Sequence, residues 1–124
     1  MATVLIIDDS PTEVHVMQEA LRRNGYDTLC AADGESGLEM ARSHRPDLIF
    51  MDVVMPGMNG FQATRMLARA PETASIPVVM ITTKSEETDR IWGLRQGAVD
   101  YLVKPVGETA LVAKAREWLG AGST

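Results

Sequence analysis

The sequence predicts an α/β fold in which a doubly wound parallel sheet of five strands is flanked by five helices. First, short apolar runs rich in Val and Ile recur along the chain, as is typical of buried parallel strands. Second, helix-length segments separate these runs, without repeats or an internal linker. Third, four of the runs end in polar residues, which are Asp8 with Asp9, Asp52, Thr82 and Lys104.

The first strand and helix are predicted between residues 3 and 25. Residues 3–7 form the strand. Ser10 is expected to cap the helix, with Pro11 at its first position and Glu13 completing a capping box. An Asn-Gly pair ends the helix at residues 24–25. The predicted inward-facing stripe comprises Val14, Val16, Met17, Ala20 and Leu21.

The middle of the chain continues the alternation. Residues 26–32 and 47–52 are predicted strands. The helix between them starts at Asp33-Gly34 and ends before Pro46, because proline disfavours helix in the residue preceding it. A loop at residues 55–59 then leads to a third helix over residues 60–70.

The last two strands are predicted at residues 78–82 and at a segment ending with Val103. Ser85 is expected to cap the intervening helix, which Gly97 closes. The final helix covers residues 108–119, with a predicted core-facing stripe of Leu111, Val112, Ala115, Trp118 and Leu119. We expect one domain over residues 1–120 and a disordered tail over residues 121–124.

Composition indicates a soluble protein of one domain. The chain has 124 residues, of which 45% are hydrophobic and 23% charged, and no apolar run approaches the ~20 residues of a membrane span. The start lacks a signal-peptide pattern, so we expect a cytoplasmic protein without a membrane partner. The net charge of −5 argues against nucleic acid as a direct partner. Cys30, the single cysteine, excludes an internal disulfide and is expected to be buried.

The polar residues at the strand ends predict a metal site. Carboxyl ends of parallel strands meet at one sheet edge, where two carboxylates about 4 Å apart repel by on the order of 4 kcal/mol at an effective dielectric near 20. A hard divalent cation relieves this, and Mg²⁺ fits best, with Mn²⁺ as a substitute. Asp9 and Asp52 are the expected direct ligands, Asp8 acts mostly through water, and the backbone carbonyl of Val54 supplies a further oxygen.

With a metal bound, Asp52 is a credible phosphoryl acceptor. The Thr82 hydroxyl and the Lys104 ammonium can contact the phosphoryl oxygens and neutralise their charge. A single aspartate at a strand end more often caps the following helix. The complete set at successive strand ends favours phosphoryl transfer instead.

Four segments resemble the response regulator receiver domain family. They are residues 7–10 (Ile-Asp-Asp-Ser), 51–60 (Met-Asp-Val-Val-Met-Pro-Gly-Met-Asn-Gly), 81–83 (Ile-Thr-Thr) and 101–105 (Tyr-Leu-Val-Lys-Pro). The resemblance covers nearly the whole chain with the family's usual spacing. It implies a flavodoxin-like sheet with strand order 2-1-3-4-5.

The resemblance also implies roles for the site residues. Asp52 would accept a phosphoryl group from a histidine kinase or a histidine phosphotransfer domain, and Asp8 and Asp9 would hold Mg²⁺. Thr82 and Tyr101 would form the switch, although Tyr101 could instead be an ordinary half-buried strand aromatic. The bond between Lys104 and Pro105 would be cis. The protein would be a phosphoacceptor switch that assists its own phosphorylation and dephosphorylation, not an enzyme.

Several nearby residues keep two interpretations. Gly60 permits a close backbone approach beneath the site or belongs to a flexible loop. Lys84 is a second cation at the rim or a lysine at a helix start. Trp92 anchors a partner or packs on the sheet, and Met55 and Met58 contact partners or pack within their loop.

Two positions depart from the commonest family pattern. Thr83 is bulkier than usual, and Val54 replaces a residue that is often polar. Both lie near the route of the hydrolytic water, and an apolar Val54 cannot orient that water. We therefore hypothesise slow dephosphorylation.

The chain resembles receivers of chemotaxis and of pilus-driven twitching motility. We expect a surface over residues 85–105 to control a protein effector of the motility apparatus. The alternative is a phosphate sink or relay without its own effector. A metal-dependent phosphatase or a flavin carrier is a weaker candidate, since no Gly-rich phosphate loop is present. A monomer is the simplest state, with dimerisation on phosphorylation left open.

Overall fold

Five strands and five helices alternate over residues 2–120, the part of the chain that the computed structural model describes. The strands are β1 (Thr3–Ile7), β2 (Asp27–Ala31), β3 (Leu48–Met51), β4 (Val78–Thr82) and β5 (Asp100–Val103). The helices are α1 (Pro11–Arg23), α2 (Gly34–His44), α3 (Gly60–Arg69), α4 (Glu87–Gln96) and α5 (Glu108–Leu119). The predicted tail at residues 121–124 lies outside the described residues.

The strands form one parallel sheet in the order β2-β1-β3-β4-β5, which confirms the predicted fold class. Val4 of β1 pairs with Thr28 of β2 on one side and with Leu48 of β3 on the other. The strand order therefore reverses beside β1. In sheets of this kind, ligands bind outside the carboxyl ends of the strands at such a reversal.

Two apolar cores, one on each face of the sheet, explain why β1, β3 and β4 are almost wholly apolar. Successive strand residues point to opposite faces. Val4 and Ile6 pack with buried residues of α1 and α5. Leu5 and Ile7 pack with buried residues of α2 and α3. Helices on both faces thus leave the central strands no solvent-facing side.

The predicted capping box of α1 is only half formed. The Ser10 hydroxyl accepts a hydrogen bond from the Glu13 amide at 3.3 Å, as predicted. The Ser10 amide, however, donates to a carboxylate oxygen of Asp8. A complete capping box occurs at α3 between Asn59 and Gln62, where the sequence analysis predicted none.

The prediction that Ser85 caps α4 is wrong. The N-cap residue is Glu86, and its side chain makes no capping hydrogen bond. Gly93 is the one buried residue of α4. The apolar side chains of α4 therefore contribute few buried contacts to hold the helix on the sheet.

Three predictions of burial are also wrong. Val16 is 59% exposed, because it is rotated about 200° from Val14 around α1. Trp118 is 38% exposed at the margin of the α5 stripe. Cys30 is exposed, because it alternates with buried Ala31 along the edge strand β2 and lines an open cleft beside α1.

None of the helices in the described region has the length and apolar character needed to cross a membrane.

Candidate functional site

The site residues stand where strands end at the carboxyl edge of the sheet. Asp8 and Asp52 directly follow β1 and β3, Thr82 is the last residue of β4, and Lys104 directly follows β5. Backbone hydrogen bonds hold these positions together. The Asp52 amide donates to the Ile7 carbonyl at 2.9 Å, and the Lys104 amide donates to the Thr82 carbonyl at 2.8 Å.

Three carboxylates converge at this edge. One oxygen each of Asp8, Asp9 and Asp52 lies within 4.8 Å of the other two. Asp8 and Asp52 are buried, whereas Asp9 is exposed. Buried like charges at this separation are unfavourable unless a cation lies among them.

Lys104 supplies part of that positive charge. Its ammonium Nζ lies 3.0 Å from Asp8 Oδ2, 3.1 Å from Glu13 Oε1 and 3.7 Å from Asp52 Oδ1. Burial by itself disfavours the charged lysine. Hydrogen bonds to Asp8 and Glu13, with the charge of Asp52, outweigh that effect and raise the pKa of Lys104. The ammonium therefore stays charged at neutral pH.

Asp52 is the destabilised member of the cluster. Burial first, and then the charge of Asp8, raise the pKa of its carboxyl to about 6. Lys104 and the Val53 amide, which donates to Asp52 Oδ1 at 2.9 Å, oppose this shift only in part. At neutral pH the carboxylate is mostly ionised, and Lys104 and the Val53 amide offset its negative charge only in part.

The donor set fits a hard divalent cation. One ammonium faces four carboxylates at this edge, those of Asp8, Asp9, Glu13 and Asp52, so negative charge remains in excess. Carboxylate oxygens with open access to water on the Asp9 side are the ligands that Mg²⁺ prefers. The roles of Asp8, Asp9, Asp52 and the Val54 carbonyl as metal ligands stay predictions.

Thr82 and Tyr101, the predicted switch pair, both hold the backbone of Lys84. The fully buried Thr82 accepts a hydrogen bond from the Lys84 amide at 3.3 Å. The Tyr101 hydroxyl donates to the Lys84 carbonyl at 2.9 Å. Burial first, and then nearby Asp89, raise the pKa of Tyr101 to about 12, so the hydroxyl keeps its proton. Tyr101 is buried, not half-buried.

The structure also bears on several of the interpretations left open by the sequence. A Cβ on Gly60 would lie 2.1 Å from the Asp52 carbonyl oxygen, which supports a close backbone approach. Trp92 is 49% exposed, so about half of its surface is open to a partner. Met55 is buried in the core beside α3. The bond between Lys104 and Pro105 is cis, as the resemblance implied.

Glu13 is the site residue that the sequence analysis missed. It was assigned to a capping box, but its carboxylate instead contacts Lys104. The Lys84 backbone, as the common partner of Thr82 and Tyr101, was missed as well. Neither contact has a sequence signal, because each joins residues on different elements.

Comparisons with known proteins place this arrangement in context. A sequence model described as "Response regulator receiver domain" matches residues 4–116. Protein PilH of Pseudomonas aeruginosa is 53% identical over 112 residues, which cover 90% of this chain and 93% of that protein. Response regulator PleD of Caulobacter vibrioides is 42% identical over 115 residues, or 93% of this chain but 25% of that protein.

Solved structures share the fold. Chemotaxis protein CheY4 of Vibrio cholerae superposes with a TM-score of 0.91 at 33% identity, covering 96% of this chain and 99% of that one. The receiver domain of sensor histidine kinase PA1611 of Pseudomonas aeruginosa gives a TM-score of 0.88 at 30% identity, covering 97% and 98%. That second structure has a magnesium ion coordinated in its active site cleft.

Proposed function

This chain belongs to the response regulator receiver domain family, and we propose that it is a switch controlled by phosphorylation of Asp52. The observation that carries the proposal is the state of that carboxylate. Asp52 is buried beside two further aspartates and Lys104, with its pKa raised to about 6. An ionised carboxylate can attack phosphorus, and a divalent cation bound at this edge would offset the excess negative charge of the carboxylates and of the incoming phosphoryl group.

The proposed reaction is transfer from a phosphohistidine of a histidine kinase or a histidine phosphotransfer domain. A carboxylate oxygen of Asp52 forms the bond to phosphorus while the phosphorus–nitrogen bond breaks and the imidazole leaves. When bound, Mg²⁺ or a substituting Mn²⁺ would screen the negative charge of the phosphoryl group. Asp8, Asp9, Asp52 and the carbonyl of Val54 would hold it.

Lys104 would stabilise the phosphorylated state. Its ammonium is already 3.7 Å from Asp52 Oδ1 and is oriented by Asp8 and Glu13. Charge-assisted hydrogen bonding to a phosphoryl oxygen therefore needs little reorganisation. The protein would thus assist its own phosphorylation without turning over a separate substrate.

The switch would run through Lys84. In this structure the Thr82 hydroxyl accepts a hydrogen bond from the Lys84 amide. A phosphoryl group on Asp52 would give the same hydroxyl a charged oxygen to which it can donate. A shift of that hydroxyl would move the same peptide segment to which Tyr101 donates. Phosphorylation can change the populations of two conformations only if their contacts differ. The Lys84 backbone, which both Thr82 and Tyr101 contact, would supply such a difference.

The output surface would lie over residues 85–105. Four large apolar side chains of this stretch are exposed: Ile91, Trp92, Val99 and Val103. Exposed aromatic and aliphatic groups of this kind are typical of protein contacts. Together with the similarity to Protein PilH, they support a protein effector in a chemotaxis-like or pilus-driven motility system.

The test is intact mass after incubation with acetyl phosphate and Mg²⁺. We expect the parent to gain one phosphoryl group, and to gain none without Mg²⁺ or in the Asp52→Asn variant. Asp27→Asn is the matched control, because Asp27 is an exposed aspartate on β2 and should not affect the gain. If the parent is folded and binds Mg²⁺ but gains no phosphoryl group, the proposal that Asp52 accepts one from acetyl phosphate is wrong. Phosphorylation without stronger binding to any candidate effector would favour the phosphate sink.

Slow dephosphorylation is a second prediction for the same sample. The Val54 side chain is exposed two residues after Asp52, so a polar residue there could orient water without disturbing the core. We expect Val54→Asn to lose its phosphoryl group several-fold faster than the parent, measured as decay of the phosphorylated mass. Val99→Asn, an exposed valine away from the carboxylates, is the control. Equal decay in Val54→Asn and the parent would contradict the hypothesis.

A further inference from the structure

A second concave site lies away from the carboxylates, between the C-terminal turns of α3 and α4. Its volume is about 430 Å³, and we call it the arginine cleft. The two helices contact each other directly. The lining residues are Arg65, Ala68, Arg69, Arg95, Gln96 and Gly97.

Small residues make a close approach between α3 and the end of α4 in the arginine cleft. Gly97 adopts a left-handed conformation with φ of 118° where α4 ends. A Cβ there would lie 2.8 Å from the Cβ of Ala68. The chain therefore keeps the helices close while leaving open volume between the longer arginine side chains.

The charge of the arginine cleft is unusual for this protein. Three arginines line one concavity of a chain whose net charge is −5. Within residues 2–120, no ion pair includes Arg65, Arg69 or Arg95. Positive charges gathered around one cleft without a carboxylate partner repel one another, and an anion bound in the cleft would reduce this repulsion.

Helix dipoles account for only part of this arrangement. Arg69 and Arg95 occupy the last turns of α3 and α4, where a cation is favourable. Arg65 lies one turn earlier in α3, outside the range of that effect. Arg65 therefore adds a third positive charge to the cleft lining that the helix dipoles do not explain.

We propose that the arginine cleft binds a compact anion with two linked phosphate groups, the chemical class of inorganic pyrophosphate and nucleoside diphosphates. Guanidinium forks match phosphate oxygens in pairs. The volume lies in the range of small-molecule sites, and a concave cleft suits a compact ligand better than an extended acidic chain. Gln96 adds an amide that can donate to the same oxygens.

Binding at the arginine cleft would bridge two helices. Arg65 and Arg69 belong to α3, whereas Arg95 belongs to α4. Trp92 stands half-exposed on α4, three residues before Arg95, and provides a fluorescence signal for the bridged state.

The experiment is a calorimetric and fluorescence titration of the full chain with inorganic pyrophosphate and, separately, with ADP and GDP. EDTA is present throughout, and Asp52→Asn is titrated in parallel to exclude the carboxylate site. We expect saturable binding that weakens about tenfold in Arg65→Gln and in Arg95→Gln, as loss of one charge-assisted contact implies. Arg22→Gln, an exposed arginine on α1, should bind like the parent.

Three results would overturn the proposal. One is no saturable binding of pyrophosphate or either nucleotide at millimolar concentration by the folded protein. Another is unchanged affinity in both glutamine variants. The third is tighter binding of an oligoglutamate peptide than of pyrophosphate, which would make the cleft a surface for an acidic protein segment. Circular dichroism of each variant confirms that the protein is folded.

Discussion

Asp52 is a single residue whose burial lowers the stability of the fold. The carboxylate lies in a low-dielectric position beside Asp8, and its pKa rises to about 6. An unfolded chain holds the same group near its ordinary pKa of about 3.9. The folded state therefore binds a proton more tightly than the unfolded state does between these two values. As pH rises from about 4 to about 6, this difference lowers the free energy of unfolding.

Asp52→Asn should therefore stabilise the metal-free protein. At pH 7.5 in EDTA we expect a gain of about 1 to 3 kcal/mol in the free energy of unfolding, because an uncompensated buried charge is removed. The gain should shrink as pH falls below about 6 and approach zero below about pH 3, where the aspartate is protonated in both states. Urea unfolding at several pH values measures it. Equal free energies of unfolding for the two proteins at pH 7.5 would contradict the view that the ionised Asp52 destabilises the fold.

Among the elements, the position of α3 relative to Asp52 depends on one glycine, Gly60, at the start of the helix. The Gly60 amide donates to the Val53 carbonyl at 2.9 Å, which draws the first turn of α3 against the strand end that carries Asp52. A Cβ would meet the Asp52 carbonyl oxygen at 2.1 Å and the Val53 Cα at 2.8 Å. Both are backbone atoms and cannot rotate away. The loop at residues 55–59 thus returns the chain to a fixed point beneath Asp52.

Gly60→Ala should consequently be among the most damaging small substitutions. We expect a loss of about 3 kcal/mol or more in the free energy of unfolding, because the backbone of β3 or α3 must move. Gly107→Ala is the matched control: it also lies at the start of a helix, and nothing is within 4 Å of its Cβ position. Thermal unfolding of both variants tests the prediction. Similar changes in the two would show that the approach at Gly60 is easily relaxed.

At the scale of the whole molecule, metal binding and folding should be linked through the carboxylate edge. The three aspartates come from two strand ends that are close only in the folded sheet. A cation that binds this edge therefore favours the folded state by mass action. Below about pH 6, a proton on Asp52 competes with the cation.

Mg²⁺ should accordingly raise the unfolding temperature more at pH 7.5 than at pH 5. Each pH unit below about 6 should weaken apparent Mg²⁺ affinity by up to tenfold, since one proton must leave. Differential scanning calorimetry with and without 10 mM Mg²⁺, about a saturating level for such open sites, measures the shift. Asp52→Asn should show a smaller shift and little pH dependence. A shift in the parent that is equal at both pH values would contradict the linkage.

Three features could be predicted from the sequence alone: the α/β alternation, most element bounds, and the meeting of Asp8, Asp52 and Lys104 at one edge. Apolar periodicity and strand-end chemistry are local properties, and parallel topology brings the carboxyl ends of strands together. The cis bond before Pro105 and the strand order came from resemblance to a family, and the structure agrees with both.

Which side chains share an environment depends on how the elements pack together. Glu13 contacts Lys104, and the hydroxyl of Tyr101 reaches the Lys84 carbonyl, across different elements. Cys30 is exposed because β2 is an edge strand, although the sequence of β2 predicts a buried strand. Arg65 and Arg95 line one cleft because α3 and α4 end side by side. A pattern along one element shows which of its faces is apolar, but the packing of neighbouring elements decides what covers that face.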